Sequence, residues 1–264
     1  MAKPKRIIVT GHKGWVGAEV VQRLLAIYNV DDLSLRCFDS GNCGYNYWKS
    51  QWNEFIAEED TLPPDIIIHI GGLSDSRAGY EDTFEMNFMT TCDIVRFCKV
   101  HDVKLLYFSS YNAFDADNPY GFSKFASECL IRTTLNKESY CIFRPFNIYG
   151  AYEEQKQHPS IIEQIRTGKL PVIYRNCVRD FVEIQDVVTA TIQMVRQWNP
   201  GVWDIGTGHG TLIQNLPCLL DVEWDEDKYE DLCPAGIRPI RIADRKNILP
   251  NWNAVRIEDH YRCE

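Results

Sequence analysis

Short apolar runs and amphipathic stretches take turns along the first half of this chain. Residues 5–10 centre on Ile7, Ile8 and Val9, and residues 65–70 on Ile66, Ile67 and Ile68. Unbroken β-branched runs of this kind suit strands buried on both faces of a parallel sheet. Residues 33–38, 103–109 and 140–144 supply three more strands. Between them, residues 18–27, 45–59, 81–100 and 120–135 carry apolar side chains at helical spacing, Val20, Val21, Leu24 and Leu25 marking the first. Alternation of strand and helix predicts an α/β fold on a doubly wound parallel sheet. After Gly150 the rhythm loosens. A helix over 161–167, a short strand over 172–174, a helix over 186–197 and a strand over 202–205 remain.

The first strand runs into Gly11-His12-Lys13-Gly14-Trp15-Val16-Gly17 and then into a helix. Glycines let a backbone approach a pyrophosphate closely, and a helix N-terminus offers N–H groups and a positive dipole end. The spacing G-x-x-G-x-x-G is one residue longer at its first gap than the usual dinucleotide fingerprint, and a plain tight turn is the competing reading. Asp39, closing the second strand, stands where a carboxylate accepts hydrogen bonds from ribose hydroxyls and repels a 2′-phosphate. That favours NAD. Lys13 pulls toward NADP, and Asp39-Ser40-Gly41-Asn42 is also good turn chemistry. Gly71-Gly72, after the third strand, would let that strand end lie against a cofactor. On this reading residues 1–150 form the dinucleotide domain. Residues 151–264 form mainly a substrate-binding lobe, with 179–206 returning to the core sheet.

A net charge of −9 argues against nucleic acid or an anionic membrane as the main partner. No apolar run is long enough to span a bilayer, and the basic start leads into no signal peptide, so a cytoplasmic location is expected. The ten cysteines form no C-x-x-C pair. They read as buried reduced thiols, with no metal site expected.

The fourth strand ends at Ser109-Ser110, and the next helix opens Tyr120-Gly121-Phe122-Ser123-Lys124. Tyr and Lys four apart share one helix face. A nearby ammonium favours phenolate and draws a phenol down from its usual pKa of about 10. Tyr120 then suits general base and acid work, with Ser110 holding the same substrate oxygen. The competing reading is an incidental helix pair beside a strand cap. A dinucleotide turn upstream favours the catalytic one.

Several motifs stand in one order: Thr10-Gly11-x-x-Gly14-x-x-Gly17, Asp65-Ile-Ile-Ile-His69, Asn87, Ser109-Ser110, Tyr120-x-x-x-Lys124, Arg144-Pro-Phe-Asn147-Ile-Tyr-Gly150, Arg179-Asp-Phe-Val-Glu-Ile-x-Asp186 and Asp204-Ile-Gly-Thr-Gly208. From residue 5 to about residue 255 the chain resembles the extended short-chain dehydrogenase/reductases, the NAD-dependent nucleotide-sugar epimerases and dehydratases. The resemblance implies a Rossmann-type domain with a small C-terminal substrate-binding lobe, a bound nicotinamide cofactor and a nucleotide-diphosphate-sugar substrate. It places Gly11, Lys13, Gly14, Trp15, Val16, Gly17, Asp39, Gly71, Asn87, Ser109, Tyr120 and Lys124 at the cofactor. It assigns Tyr120 as acid/base, Lys124 to the cofactor ribose and Ser110 to the substrate oxygen. Asn147 and Arg179 fall where the family contacts the substrate's diphosphate, which suits a guanidinium. A surface ion pair of Arg179 with Asp180 or Glu183 is the alternative. Helices 81–100 and 120–135 lie where the family pairs two subunits, which implies a homodimer.

Dehydratases of the family carry an Asp-Glu pair directly after the catalytic hydroxyl residue, where this chain has Tyr111-Asn112. Epimerisation by transient oxidation is therefore the expected activity, with net reduction of a keto sugar by the same Ser110, Tyr120 and Lys124 as its rival. A non-catalytic dinucleotide-binding protein is the reading from another class. Lys156 falls where the heptose-nucleotide 6-epimerases, which the chain also resembles around 120–125 and 179–182, carry a second active-site lysine. A solvated lysine beside Glu153 and Glu154 is the alternative. The glycine turn resembles that of nucleotide-sugar 3,5-epimerase/4-reductases, whose Cys/His pair has no counterpart here. Residues 111–119 make a shorter loop than the family places before its tyrosine, which implies a smaller or more open sugar pocket.

Overall fold

Elements form where the periodicities change. The chain runs β1 (Lys5–Thr10), α1 (Trp15–Ile27), β2 (Leu33–Phe38), α2 (Gly44–Ala57), β3 (Ile66–His69), α3 (Tyr80–Thr83), a π-helical turn (Phe84–Met89), α4 (Thr90–His101), β4 (Lys104–Phe108), α5 (Pro119–Thr134) and β5 (Tyr140–Pro145). It continues through β6 (Asn147–Tyr149), α6 (Ile161–Arg166), β7 (Ile173–Tyr174), β8 (Val178–Arg179), β9 (Phe181–Glu183), α7 (Ile184–Arg196) and β10 (Gly201–Ile205). The computed structural model describes residues 5–29, 31–39, 43–58, 62–74, 78–152, 159–231 and 238–261. The chain divides into two units, 1–144 with 191–203, and 145–190 with 204–264.

The first unit is built on a six-stranded sheet in the order β10-β5-β4-β3-β1-β2. The pairs β2–β1, β1–β3, β3–β4 and β4–β5 are all parallel, as the doubly wound reading requires. All four residues of β3 are buried, as are Ile7 to Thr10 of β1. From β1 the order runs out to β2 on one side and to β3 on the other. The crevice at the carboxyl ends of β1 and β3 is therefore a topological switch point. Over one face α2 packs an aromatic cluster, Trp48 and Trp52 stacked at 5.3 Å and Phe38 edge-on to both. The expected single helix over 81–100 is interrupted by the π-helical turn. There Thr90 and Thr91 send their hydroxyls back to the carbonyls of Met86 and Asn87.

The second unit holds only short pairings, which is why its sequence lost the strand-helix rhythm. Here β6 pairs with β9, and β8 lies between β11 (Thr211–Leu212) and β13 (Ile240–Arg241). Its core gathers Tyr149, Ile162, Ile165, Ile173, Phe181, Ile213 and Leu216. Asp180 ties these pieces together. Its buried carboxylate accepts from the Thr207 N–H and hydroxyl (2.9 and 2.7 Å) and from the N–H groups of Gly208 and Ala243 (2.8 and 3.1 Å). Burial pushes its pKa up, and those four donors work against the rise.

The cysteines meet the expectation of buried thiols only in part, with Cys98 and Cys141 free and buried. Cys43, Cys129 and Cys218 are free but exposed, and Cys177 is disulfide-bonded, its second sulfur lying outside the described residues. Sequence spacing carries no through-space pairing, so it could not show this. No described helix is long and apolar enough to cross a membrane, and no group of three metal-ligating side chains occurs among the described residues.

Candidate active site

The glycine turn is held by its own backbone. Gly11, at φ +74°, donates its N–H to Phe38 O and accepts from Gly14 N. A Cβ on Gly11 would lie 2.6 Å from the Cα and N of Gly71, so the ends of β1 and β3 meet without side chains between them. A Cβ on Gly17 would sit 2.0 Å from Gly11 O. No side chain caps α1 and its first turn holds no acid, so the electropositive end of the helix carries no counter-charge of its own. Lys13, Gly14, Trp15 and Val16 line this end, with Lys13 and Gly14 exposed. Parallel pairing of Thr10 with Phe38 carries Asp39 to the same turn, where its Oδ2 accepts from Lys13 N at 3.0 Å. A surface with close backbone approach, a dipole end and one carboxylate at the rim fits a dinucleotide's pyrophosphate and ribose.

Beneath the turn lies a buried polar strap. His69 Nδ1 stands 2.6 Å from Thr10 Oγ1, and its Nε2 stands 3.1 Å from Thr91 Oγ1. The Thr91 hydroxyl already donates to Asn87 O, so Nε2 must carry the ring proton and Nδ1 must accept from Thr10. Burial and the nearby ammonium of Lys124 hold the imidazole pKa down to about 3. In the unfolded chain it returns to 6.5. Between those values the unfolded state binds a proton that the folded state refuses, so this residue stabilises the fold above pH 6.5 and loses that contribution as pH falls toward 3. Urea unfolding of wild type minus His69→Gln should show a slope of about 1.4 kcal/mol per pH unit across that window. Parallel curves for the two proteins would contradict it.

Asn87 braces the backbone that follows β3. Its amide is buried, accepting from Leu73 N (2.7 Å) and donating to Leu73 O (3.0 Å) and Ser123 Oγ (2.9 Å). It shapes the Gly71–Leu73 segment, and a Cβ on Gly72 would lie 2.6 Å from its Oδ1. Ser109 likewise spends its hydroxyl on Glu128, 2.6 Å away.

Ser110, Tyr120 and Lys124 come together. Asn118 caps α5 through Gly121 N at 2.8 Å, and Pro119 occupies the first turn. A side chain on Gly121 would strike Asn112 O at 2.6 Å, so the short 111–119 loop can lie directly on that turn. Ser110 is buried and Tyr120 half-buried. The ammonium of Lys124, 4% exposed, donates to Phe108 O at 2.8 Å and lies 5.9 Å from the Tyr120 ring centre. It also borders the third strand's end, 3.5 Å from where a Gly72 Cβ would be. Burial brings its pKa down to about 8, with the carboxylate of Glu128 opposing.

The expectation of a phenol drawn toward neutrality is corrected here. Tyr120 is pushed up to about 12 by burial and by neighbouring Tyr111, against a hydrogen bond with Ser110. The lysine shares its helix face, but its ammonium is committed to a backbone carbonyl rather than to the phenol oxygen.

In the second unit Asn147 donates its N–H and its amide to Asp180 O, at 3.1 and 2.8 Å. Arg179 donates Nη1 to Val178 O and Pro239 O. Asp180 and Glu183 both accept backbone N–H groups, from 207, 208 and 243 and from Gln185. Lys156 lies outside the described residues. Sequence reasoning missed Asp180 as an anchor, although its place beside Arg179 and the Asp204–Gly208 motif were both in view.

Known proteins resemble this chain in sequence and fold. The model of the NAD dependent epimerase/dehydratase family matches residues 7–206. A protein of Methanocaldococcus jannaschii described as "Putative UDP-glucose 4-epimerase" is 26% identical over 244 residues, covering 80% of this chain and 79% of that one. The UDP-N-acetylglucosamine 4-epimerase of Methanobrevibacter ruminantium, solved with UDP-N-acetylmuramic acid, superposes with a TM-score of 0.77 at 20% identity, covering 99% of this chain and 97% of that one. The Helicobacter pylori ADP-L-glycero-D-manno-heptose-6-epimerase gives 0.76 at 17% identity, covering 99% and 95%.

Proposed function

Because the chain belongs to the NAD dependent epimerase/dehydratase family, we propose that it is an NAD-using epimerase of a nucleotide-diphosphate sugar. The observation that carries this reading is the meeting of Ser110, Tyr120 and Lys124 at the strand ends bordering the glycine turn. NAD, when bound, supplies an acceptor that takes up and gives back a hydride. Gly11, Gly14 and Gly17 with the N-terminus of α1 would hold its pyrophosphate, and Asp39 its adenosine ribose. Lys13 would contribute to that rim, and Lys124 would turn toward the nicotinamide ribose.

The remaining work falls to this chain's own side chains. Ser110 holds the sugar oxygen by a hydrogen bond, and Tyr120 moves that oxygen's proton away and back. A phenol near 12 keeps its own proton at neutral pH. That proton must leave to solvent before Tyr120 can take the sugar's, and a positive charge brought beside the ring by the bound cofactor would lower the value and favour that release. Tyr111 and Asn112 offer no acid-base pair for removing water, which favours epimerisation over dehydration. Asn147 and Arg179 are the residues we assign to the diphosphate. Exposed Met89, Phe122 and Phe125 on the helices of 81–100 and 120–135 support a homodimer through those faces.

The test is incubation of the purified protein with NAD and a panel of UDP-, GDP-, ADP- and dTDP-sugars, followed by proton NMR. The expected result is interconversion of one sugar pair with no net change in NADH absorbance, by a protein that light scattering shows as a dimer. Continuous loss of NADH absorbance with a keto sugar would instead identify a reductase. Binding without any turnover would leave a dinucleotide-binding protein.

A further inference from the structure

Glu128 sits on α5 one turn beyond Lys124 and is 2% exposed. Its Oε1 accepts from Ser109 Oγ (2.6 Å) and Arg144 Nε (2.9 Å), and its Oε2 accepts from Arg144 Nη2 (2.5 Å). The guanidinium of Arg144 in turn lies 4.4 Å over the ring of Phe114, in the segment that follows Ser110. One carboxylate therefore joins α5, the end of β4, β5 and the start of the short loop. A buried ion pair is weak evidence for stability, because desolvation offsets its Coulomb gain. A second role is open to it.

That role lies with the lysine one turn away. The groups facing the Lys124 ammonium from each packed element are the ring of Tyr107 on β4 (5.0 Å), the ring of Tyr120 on α5, neutral His69 on β3, Phe108 O and Glu128, with Arg144 of β5 behind the last. Burial favours the neutral amine, and Glu128 is the anion of this set that opposes it. We propose that Glu128, clamped by Arg144 and Ser109, is a positioning residue that keeps Lys124 charged and holds the strand end bearing Ser110 against α5. The inference rests on the proposed role of Lys124, but the charge of that lysine is measurable without turnover.

The test uses the full chain labelled with ¹³C-lysine, the Lys124 signal assigned by its loss in Lys124→Arg. In Glu128→Gln its titration midpoint is expected to fall by about one pH unit. In Glu128→Asp it should fall less, which is the conservative rescue. The pH profile of turnover should move the same way, activity at pH 8 dropping about fourfold more than at pH 6.5. Should Glu128→Gln not fold, Glu128→Leu with Arg144→Met replaces the whole pair by apolar groups, a change that buried ion pairs often tolerate. Its Lys124 midpoint should also lie below wild type. A folded variant with an unmoved midpoint overturns the inference. A lowered midpoint in a protein that turns over no sugar supports it and counts against the proposed function instead.

Discussion

Tyr120→Phe is expected to lower sugar turnover by about 10²–10⁴-fold while leaving the dinucleotide affinity within a few-fold of wild type. The ring itself is half-buried against α5 and the Lys124 ammonium, so phenylalanine keeps the packing and removes a single oxygen. That oxygen is the hydrogen-bond partner of Ser110 and the proposed carrier of the substrate's proton. Ser110 cannot replace it, because an aliphatic hydroxyl whose Oγ accepts from Asn112 N offers no titratable proton near neutral pH. The measurement is kcat and KM by NMR progress curves, with NAD affinity by calorimetry. A large drop in kcat with KM held identifies an interaction made in the transition state. Equal turnover by the phenylalanine variant would remove Tyr120 from the chemistry, whatever the fold.

The sheet was legible because its strands are buried on both faces, and continuous runs such as Ile66–Ile68 have few other uses. The glycine turn was legible for a related reason: a backbone that must approach itself closely leaves glycine in the sequence. Ser110, Tyr120 and Lys124 were found because two share a helix face and the third ends the preceding strand. What stayed hidden depends on contacts through space. Nothing in the spacing says that the Lys124 ammonium turns to Phe108 O, so the sign of the Tyr120 shift was read wrongly. Asn87 and Ser109 give their polar groups to Leu73, Ser123 and Glu128, partners that their places in the sequence do not name. The two threonine partners of His69 come from residues 10 and 91, far apart in the chain. Buried polar groups of this kind must find partners, but sequence alone does not say which.

Gly17→Ala should disable the molecule by a different route, through space rather than chemistry. Gly17 lies in the first turn of α1, where alanine is normally the better helix former by about 1 kcal/mol. Here the added Cβ would stand 2.0 Å from Gly11 O and 2.7 Å from Gly11 C. Both are backbone atoms of the turn, so no flexible side chain can swing aside, and the turn or the helix must move bodily. Overpacking of this severity costs about 3 kcal/mol, which for a chain of this size lowers Tm by roughly 10 °C. Because Gly11 also receives Gly14 N and abuts Gly71, the displacement reaches the surface proposed for the pyrophosphate. NAD affinity should fall by more than about tenfold even in the folded fraction, since close backbone approach is what the glycines provide. Gly44→Ala is the matched control. Gly44 has φ +77° with nothing within 4 Å of a new Cβ, so it carries conformational strain without a clash. That strain is worth about 1–2 kcal/mol, with NAD affinity unchanged. If Gly17→Ala melted with wild-type Tm and bound NAD as tightly, the turn would not be the rigid seat described here.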